Sequence, residues 1–490
     1  MNNKAALFMP PSMISLFLGG LYFRTLAPGL TWAYDGADGG DFLAALATGG
    51  VPHPGGYPTY MLLASLFTKL PLGSLAFRGN LFSLICMTLA VFLFYRLVHS
   101  LTDSHFVSST SSLIFGAFPL VWSQALITEV YALQTFLSVL VLLFFASKNP
   151  SRAGNFAGGL SLGLSLGNHL TSLLLLPLIF WENGRQISLL AHAKQRSRMD
   201  KTYIQHILTR LAGVCLGLLV YLVIPIRARN QAPVNWGNAV NWEGFWWLIS
   251  GEMYFDRLRG FSTAYLFTGL QAWSRLMLDQ AGIVGLSIGL FVPIVLYKRS
   301  PRYVLTGWLF LAWSAFAIIY RSPDSYVYLI PALIALAMWI GLGINFILEK
   351  FPLTIYPSVR LFLRSIIIVL IIVRAISMIP KLDLSSDRKA EQYAQAVLAS
   401  LPERAIVVTQ GDEALFSLWY FQYVDHQRPD VAIVSQELLG QPWYHNVLKV
   451  TYADLTVPDG TQIQAFREFN LQRPICLLMA DLQPQFLCLP

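Results

Sequence analysis

Three aspartates fall within seven residues in the run Tyr34-Asp35-Gly36-Ala37-Asp38-Gly39-Gly40-Asp41. Carboxylates beside a bilayer are costly unless solvated, paired or functional. One held against a hydroxyl can take its proton as a general base. Glycines 36, 39 and 40 would let the backbone approach a ligand closely and adopt positive φ. The plainer alternative is a solvated Asp/Gly turn. A calcium loop is disfavoured, because the EF-hand spacing with its distal Glu is missing. The next motif, Val51-Pro52-His53-Pro54-Gly55-Gly56-Tyr57-Pro58, packs three prolines and two glycines into eight residues, which predicts a rigid turn. His53 and Tyr57 are its titratable groups. The apolar run from Thr59 to Leu70 is too short to cross a bilayer, so an interfacial helix is expected there.

Other polar residues stand in apolar surroundings. Arg78 and Asn80 open a hydrophobic run, where Arg78 could simply snorkel. Glu129 lies where an unpaired carboxylate would be expensive, so a functional role or an Arg partner is expected. Asn168-His169 separates two short apolar segments and could be helix punctuation. Arg227, Arg229 and Arg321 are suited to holding a phosphate bidentately. Between residues 227 and 280 lie Trp236, Trp242, Phe245, Trp246, Trp247, Tyr254 and Phe255. An interfacial aromatic belt accounts for most of them, and Asn235-Trp236-Gly237 is the portion favoured for ligand contact. No CxxC, HExxH, P-loop or nucleophile elbow occurs. Cys86 and Cys215 read as packing residues, while Cys476 and Cys488 could pair, which sequence alone does not decide.

These residues must be held by membrane helices. Of 490 residues 55% are hydrophobic and only 12% charged, against about 25% charged in soluble proteins. That excludes a soluble enzyme, a coiled coil, a disordered chain and a disulfide scaffold, and it predicts an all-α polytopic membrane protein. Residues 381–490 hold 13 acids and 8 bases, whereas residues 1–380 hold 13 acids and 26 bases. The basic balance of the membrane part suits anionic lipid and not nucleic acid; the acidic tail reads as a separate aqueous domain. Expected spans are 11–29, 78–98, 105–123, 125–147, 155–167, 169–181, 207–226, 281–298, 303–320, 325–348 and 359–380.

The basic clusters Lys148/Arg152, Arg185/Lys194/Arg196/Arg198/Lys201, Lys298/Arg299/Arg302 and Lys350/Arg360 share one side only if 155–181 is a short hairpin with Asn168-His169 at its apex. This predicts a multi-pass protein of the cell membrane, with a cytoplasmic N-terminus and an uncleaved first span. Loops 30–77 and 227–280 and everything from residue 381 would then be extracytoplasmic. Within the tail, 387–400 is expected to be helical, 405–409, 431–434 and 475–479 to be strands, and Gly411 to Tyr423 to be helical, giving a small α/β domain. Gly411-Asp412 after a strand could bind phosphate, but a turn with an acidic cap is the simpler expectation.

The ordered motifs Asp38-Gly39-Gly40-Asp41-Phe42, His53-Pro54-Gly55-Gly56-Tyr57-Pro58 and Phe77-Arg78-Gly79-Asn80-Leu81 resemble the "D-S-G-E … A-H-P-P-G-Y-P … R-V-N-L" region of a particular membrane family. That family includes protein O-mannosyltransferases of the plexin/IPT-domain type. Trp122-Ser123-Gln124-Ala125 with Thr128-Glu129-Val130-Tyr131, Gly167 to Thr171, Asn235 to Asn238, Tyr320 to Tyr328, Gly411-Asp412, Arg428 to Val431 and Pro442-Trp443-Tyr444 resemble later motifs in the same order.

The resemblance implies a GT-C glycosyltransferase fold, a polyprenyl-phosphate sugar donor, and catalysis by acids of the first outer loop. Asp38 matches the family Asp, and Asp41 stands where Glu is frequent. Either would then deprotonate an acceptor hydroxyl of a protein or glycan. Arg227, Arg229 and Arg321 would hold the leaving phosphate, with His53 and His169 as lesser candidates. No cofactor is demanded; the acids would accept a divalent metal, but the spacing requires none. The alternative function is a transporter or glycolipid flippase, for which the 155–181 hairpin would be a broken-helix site.

Overall fold

The computed structural model describes residues 9–147, 150–181, 196–258, 263–296, 302–350, 356–458, 460, 463–478 and 485–489. Among them, five helices are long and apolar enough to cross a membrane by length and composition: Leu75–Thr102, Lys201–Ala228, Thr263–Val295, Pro323–Lys350 and Pro357–Leu382. Tyr131–Phe145, Leu170–Phe180 and Val304–Ile319 are shorter apolar helices. Helices at Pro11–Arg24, His105–Gly116 and Arg152–Leu166 complete the bundle. Each of the eleven expected spans therefore coincides with a helical segment. Residues 263–280, expected in the second outer loop, instead begin one helix that runs to Leu296 and breaks at Gly282, where φ is 65°. Lys148, Arg185, Lys194, Lys298 and Arg299, which weighed in the expected orientation, lie outside the described residues, as does Met479.

The short hairpin is held by its glycines. Gly159 and Gly163 face Gly213 and Gly217 of the following helix, Arg196–Leu218. A Cβ on Gly159 would lie 2.0 Å from the Arg210 carbonyl oxygen, and one on Gly213 would lie 2.3 Å from that of Phe156. Such small-residue seams let backbones touch where water supplies no driving force. Arg210 is buried in this seam, donating to Asn155 Oδ1 at 2.7 Å and to the carbonyls of Ile179 at 2.8 Å and Trp181 at 2.6 Å. It thereby satisfies the carbonyls at the end of the 3₁₀ segment Leu170–Phe180, which a bilayer would otherwise leave orphaned.

The tail is an α/β unit with strands β1 (Ile406–Thr409), β2 (Ala432–Ser435), β3 (Ile475–Leu478) and β4 (Phe486–Leu489) in the order β2-β1-β3-β4. β1 is parallel to β2 and β3, and β4, absent from the sequence expectation, pairs antiparallel with β3. Cys476 and Cys488 face each other in that register and form a disulfide. The helix Asp412–Tyr423 follows β1, as the alternation of strand and helix requires.

That helix is buried on all sides from Ala414 to Gln422, because it lies between its own sheet and the membrane part. Trp32 Nε1 donates to Ser417 Oγ at 2.9 Å, the Ala76 amide donates to the Tyr420 hydroxyl at 3.2 Å, and the Leu384 amide donates to the Thr25 carbonyl at 3.0 Å. The closest approach is at Gly40, where a Cβ would stand 2.4 Å from the Phe416 carbonyl oxygen. Gly40→Ala is therefore expected to lift the tail helix and cost about 1–3 kcal/mol. Gly20, where a Cβ would meet nothing within 4 Å, supplies the control. Thermal unfolding of the two alanine variants should show a lowered midpoint for Gly40→Ala only.

Candidate active site

The first outer loop folds into more helix than its glycines suggest. Residues Asp38–Thr48 form an α-helix with both Asp38 and Asp41 in its first turn, where the helix dipole favours negative charge. Gly36, Gly39 and Gly40 do not take positive φ; Tyr34 and Asp35 do, at 58° and 59°. Nor do these glycines open onto a ligand. Gly39 makes room for the Thr128 carbonyl, 3.1 Å from where a Cβ would lie, and Gly40 for Phe416.

The three-residue spacing on a helix puts both carboxylates on one side, yet their surroundings differ. Asp41 is fully buried: its Oδ2 accepts from the His53 amide and from His53 Nδ1, each at 2.8 Å. Its Oδ1 accepts from Trp236 Nε1 at 3.0 Å. Asp38 lies deep but keeps 36% of its side chain accessible, with Oδ2 3.4 Å from His53 Nε2. The geometry is a chain from Asp41 through His53 to Asp38, closed at one end and open at the other.

The rigid turn predicted around His53 is present and is pinned from the second outer loop. The Val51 amide donates to the Val234 carbonyl at 2.9 Å and the Trp236 amide to the Val51 carbonyl at 3.1 Å. Gly50 must be glycine, since a Cβ there would stand 1.9 Å from the Val234 carbonyl oxygen. This pairing carries Trp236 to Asp41 across 195 residues. The interfacial helix expected at 59–70 is realised as Pro58–Ala64 followed by the single turn Phe67–Lys69.

Burial raises the Asp38 carboxyl to about 7; His53 opposes this, while Asp412, Asp41 and Asp324 add to it. Burial alone would depress His53, but Asp38 and the hydrogen-bonded Asp41 outweigh it, with Asp412 helping, and hold it at about 9. The imidazole is thus charged at neutral pH, a cation between two acids.

Tyr57 packs at 4.9 Å from the His53 ring and 6.1 Å from that of His169. His169 in turn lies 5.4 Å from Tyr328 and 5.7 Å from Tyr131. Asn168 Nδ2 donates to the Val130 carbonyl and to Gln134 Oε1, both at 3.1 Å, so it fixes the hairpin apex. Among the described residues Glu129 is buried without an arginine: Oε2 accepts from the Val130 amide at 3.3 Å, and Oε1 has no hydrogen-bond partner. Arg78 neither snorkels nor reaches the acids; it donates to the carbonyls of Thr68 and Leu70 and ties off the interfacial segment.

The three expected phosphate-binding arginines are not brought together. Arg227 donates to the Gly50 carbonyl at 3.3 Å, Arg229 is exposed, and Arg321 donates to the Asp256 carbonyl at 2.6 Å. Beside Arg321 stands one the sequence reading passed over. Arg257 donates to Ser322 Oγ at 2.8 Å and lies 4.8 Å over the Tyr254 ring, next to Tyr320 and Asp324. Asp412, expected to mark a phosphate site or a helix cap, acts by its charge on both His53 and Asp38. Among the described residues no three His, Cys, Asp or Glu side chains converge to hold a metal ion.

Two family profiles match the chain: "Protein O-mannosyl-transferase TMEM260 N-terminal domain" over residues 38–183, and "TMEM260-associated domain 2" over residues 390–471. Protein O-mannosyl-transferase TMEM260 of Mus musculus is 26% identical over 436 residues, covering 84% of this chain and 60% of the mouse protein. Its Dictyostelium discoideum counterpart is 23% identical over 530 residues, covering 93% and 62%. The chain thus spans less than two thirds of either relative. Among solved structures it is similar to ArnT from Cupriavidus metallidurans. The apo form gives a TM-score of 0.63 at 14% identity, and the form bound to undecaprenyl phosphate 0.60 at 13%. Each match covers 95% of this chain and 92% of ArnT. The chain is accordingly a multi-pass membrane protein with the fold of ArnT, and the resemblance of its motifs to the protein O-mannosyltransferases is borne out.

Proposed function

We propose that this chain is an integral-membrane glycosyltransferase. It moves a sugar, mannose by the likeness to TMEM260, from a polyprenyl-phosphate donor to an acceptor hydroxyl at the face that carries the tail. That face is extracytoplasmic in a cell membrane. The observation that carries the reading is the open Asp38 carboxylate backed by His53 and the closed Asp41, inside the segment matched by the family profile. Asp38 takes the acceptor proton and the oxygen attacks the anomeric carbon with inversion. The bond from that carbon to the phosphate oxygen breaks, and the lipid phosphate leaves with the electron pair. Arg257 and Arg321 are the groups available to neutralise it. Undecaprenyl phosphate bound to ArnT supports a donor of this class. The joining of Asp38, Asp41, His53 and Trp236 into one cluster closed by the tail helix supports transfer over transport.

The test is turnover of a polyprenyl-phosphate mannose by purified protein with a Thr-containing protein acceptor, followed as a hexose mass increment. The base must be ionised, so the rate falls as pH drops through about 7, where Asp38 titrates. The His53 cation is fully present below its ordinary value of about 6.5 and is lost as pH rises through about 9. A bell with limbs near those two values is expected. A rate flat from pH 6 to pH 10 would remove the pair from the mechanism.

A further inference from the structure

The tail helix Asp412–Tyr423 meets the acid–histidine chain with two side chains four residues apart. Phe416 lays its ring nearly parallel to the His53 imidazole, with centroids 6.3 Å apart and planes inclined by 16°. Its carbonyl fills the space left by Gly40. Asp412 stands one turn earlier on the same face, exposed where Phe416 is buried. The other acids of the tail are largely spoken for: Asp430 pairs with Arg428, Asp454 with Arg404 and Arg473, and Glu437 accepts from the Gly411 amide. Among the described residues the Asp412 carboxylate has no hydrogen bond and no salt bridge; its neighbours in charge are His53, Asp41, Glu413 and Glu437. Asp38 faces His53, Asp412, Asp41 and Asp324. The two accessible carboxylates, Asp38 from the membrane part and Asp412 from the tail, therefore both act on the one His53 imidazole, which the ring of Phe416, one turn from Asp412, also meets.

We propose that Asp412 is an acceptor-side specificity residue, through which the tail admits hydroxyl acceptors with cationic or neutral flanks and disfavours anionic ones. The inference rests on the glycosyl-transfer reading and adds to it the charge class of the acceptor. Asp38, Asp41 and Asp412 outnumber the His53 imidazolium, so the part of the site next to the tail helix is negative, with the cations Arg257 and Arg321 standing apart from it beside Asp324. An anionic flank is repelled there and a cationic flank drawn in. The tail is then part of the site, not an appended module.

The experiment compares two pools of Thr peptides, flanked by Lys or by Glu, with polyprenyl-phosphate mannose as donor. The wild-type protein should favour the Lys pool in kcat/KM by roughly fivefold, the size of one partly screened charge pair, and salt should shrink that preference. Asp412→Asn should bring the ratio toward one with the donor KM unchanged, and Asp412→Glu should restore it. An unchanged ratio in Asp412→Asn overturns the proposal. If the wild-type protein uses neither pool, the peptide-acceptor reading fails instead, and the His53 resonance of histidine-labelled protein decides on Asp412. Its titration midpoint should fall in Asp412→Asn, and a midpoint that stays put overturns the inference.

Discussion

Asp38→Asn is expected to lower sugar transfer by about 10²–10⁴, the usual worth of a positioned general base, while leaving the melting temperature where it was. The two halves of that expectation come from one geometry. Asp38 keeps 36% of its side chain accessible, and among the described residues its one ion-pair neighbour is His53 at 3.4 Å. An amide of the same shape therefore leaves no buried donor stranded. What it removes is the proton acceptor at the open end of the chain. His53 keeps both of its contacts to Asp41, so donor binding should survive and the loss should fall on kcat. Turnover and thermal unfolding on the same preparations check this. Wild-type turnover in Asp38→Asn would take the carboxylate out of the chemistry.

Much of this architecture is legible in the sequence, for a physical reason. A bilayer forces every spanning segment into an apolar run with its hydrogen bonds internal, so composition and charge partition mark the spans, and even the short 155–181 hairpin emerges. The tail's strands show as Ile406-Val407-Val408 and Ala432-Ile433-Val434, because a parallel sheet is buried on both faces. The helix at Asp38–Thr48 is obscured because Gly39 and Gly40 read as loop, whereas they serve close packing. Their reason for being glycine lies 89 and 376 positions away, at Thr128 and Phe416. The signal that could have exposed that packing is Ala414 to Phe421, too apolar all round for a helix covering only one side of a small sheet. Arg257 and Arg321 show the converse limit. Both break the apolar pattern, yet only the fold tells which stands among Tyr254, Tyr320 and Asp324.

Sequence left Asp38 and Asp41 as equivalent candidates, and Asp41→Asn is the substitution that separates them most sharply. Its two oxygens accept three hydrogen bonds, from the His53 amide, His53 Nδ1 and Trp236 Nε1. An asparagine has one oxygen to offer. With that oxygen toward His53, its NH₂ faces the Trp236 N–H; flipped, it faces the His53 amide. Either way a buried donor is stranded, at a cost of about 1–3 kcal/mol, and the His53 charge loses its buried partner, which raises the total toward about 3–5 kcal/mol. Activity should fall with stability, because His53 no longer holds its place beneath Asp38. A double-mutant cycle isolates the cause. Trp236→Phe deletes the donor that the asparagine NH₂ would meet, so Asp41→Asn should cost less stability in that background than in the wild type. Transfer should stay low in both, since His53 still lacks its carboxylate. Equal costs in the two backgrounds would mean that Trp236 and Asp41 do not share the hydrogen bond that fixes this end of the chain.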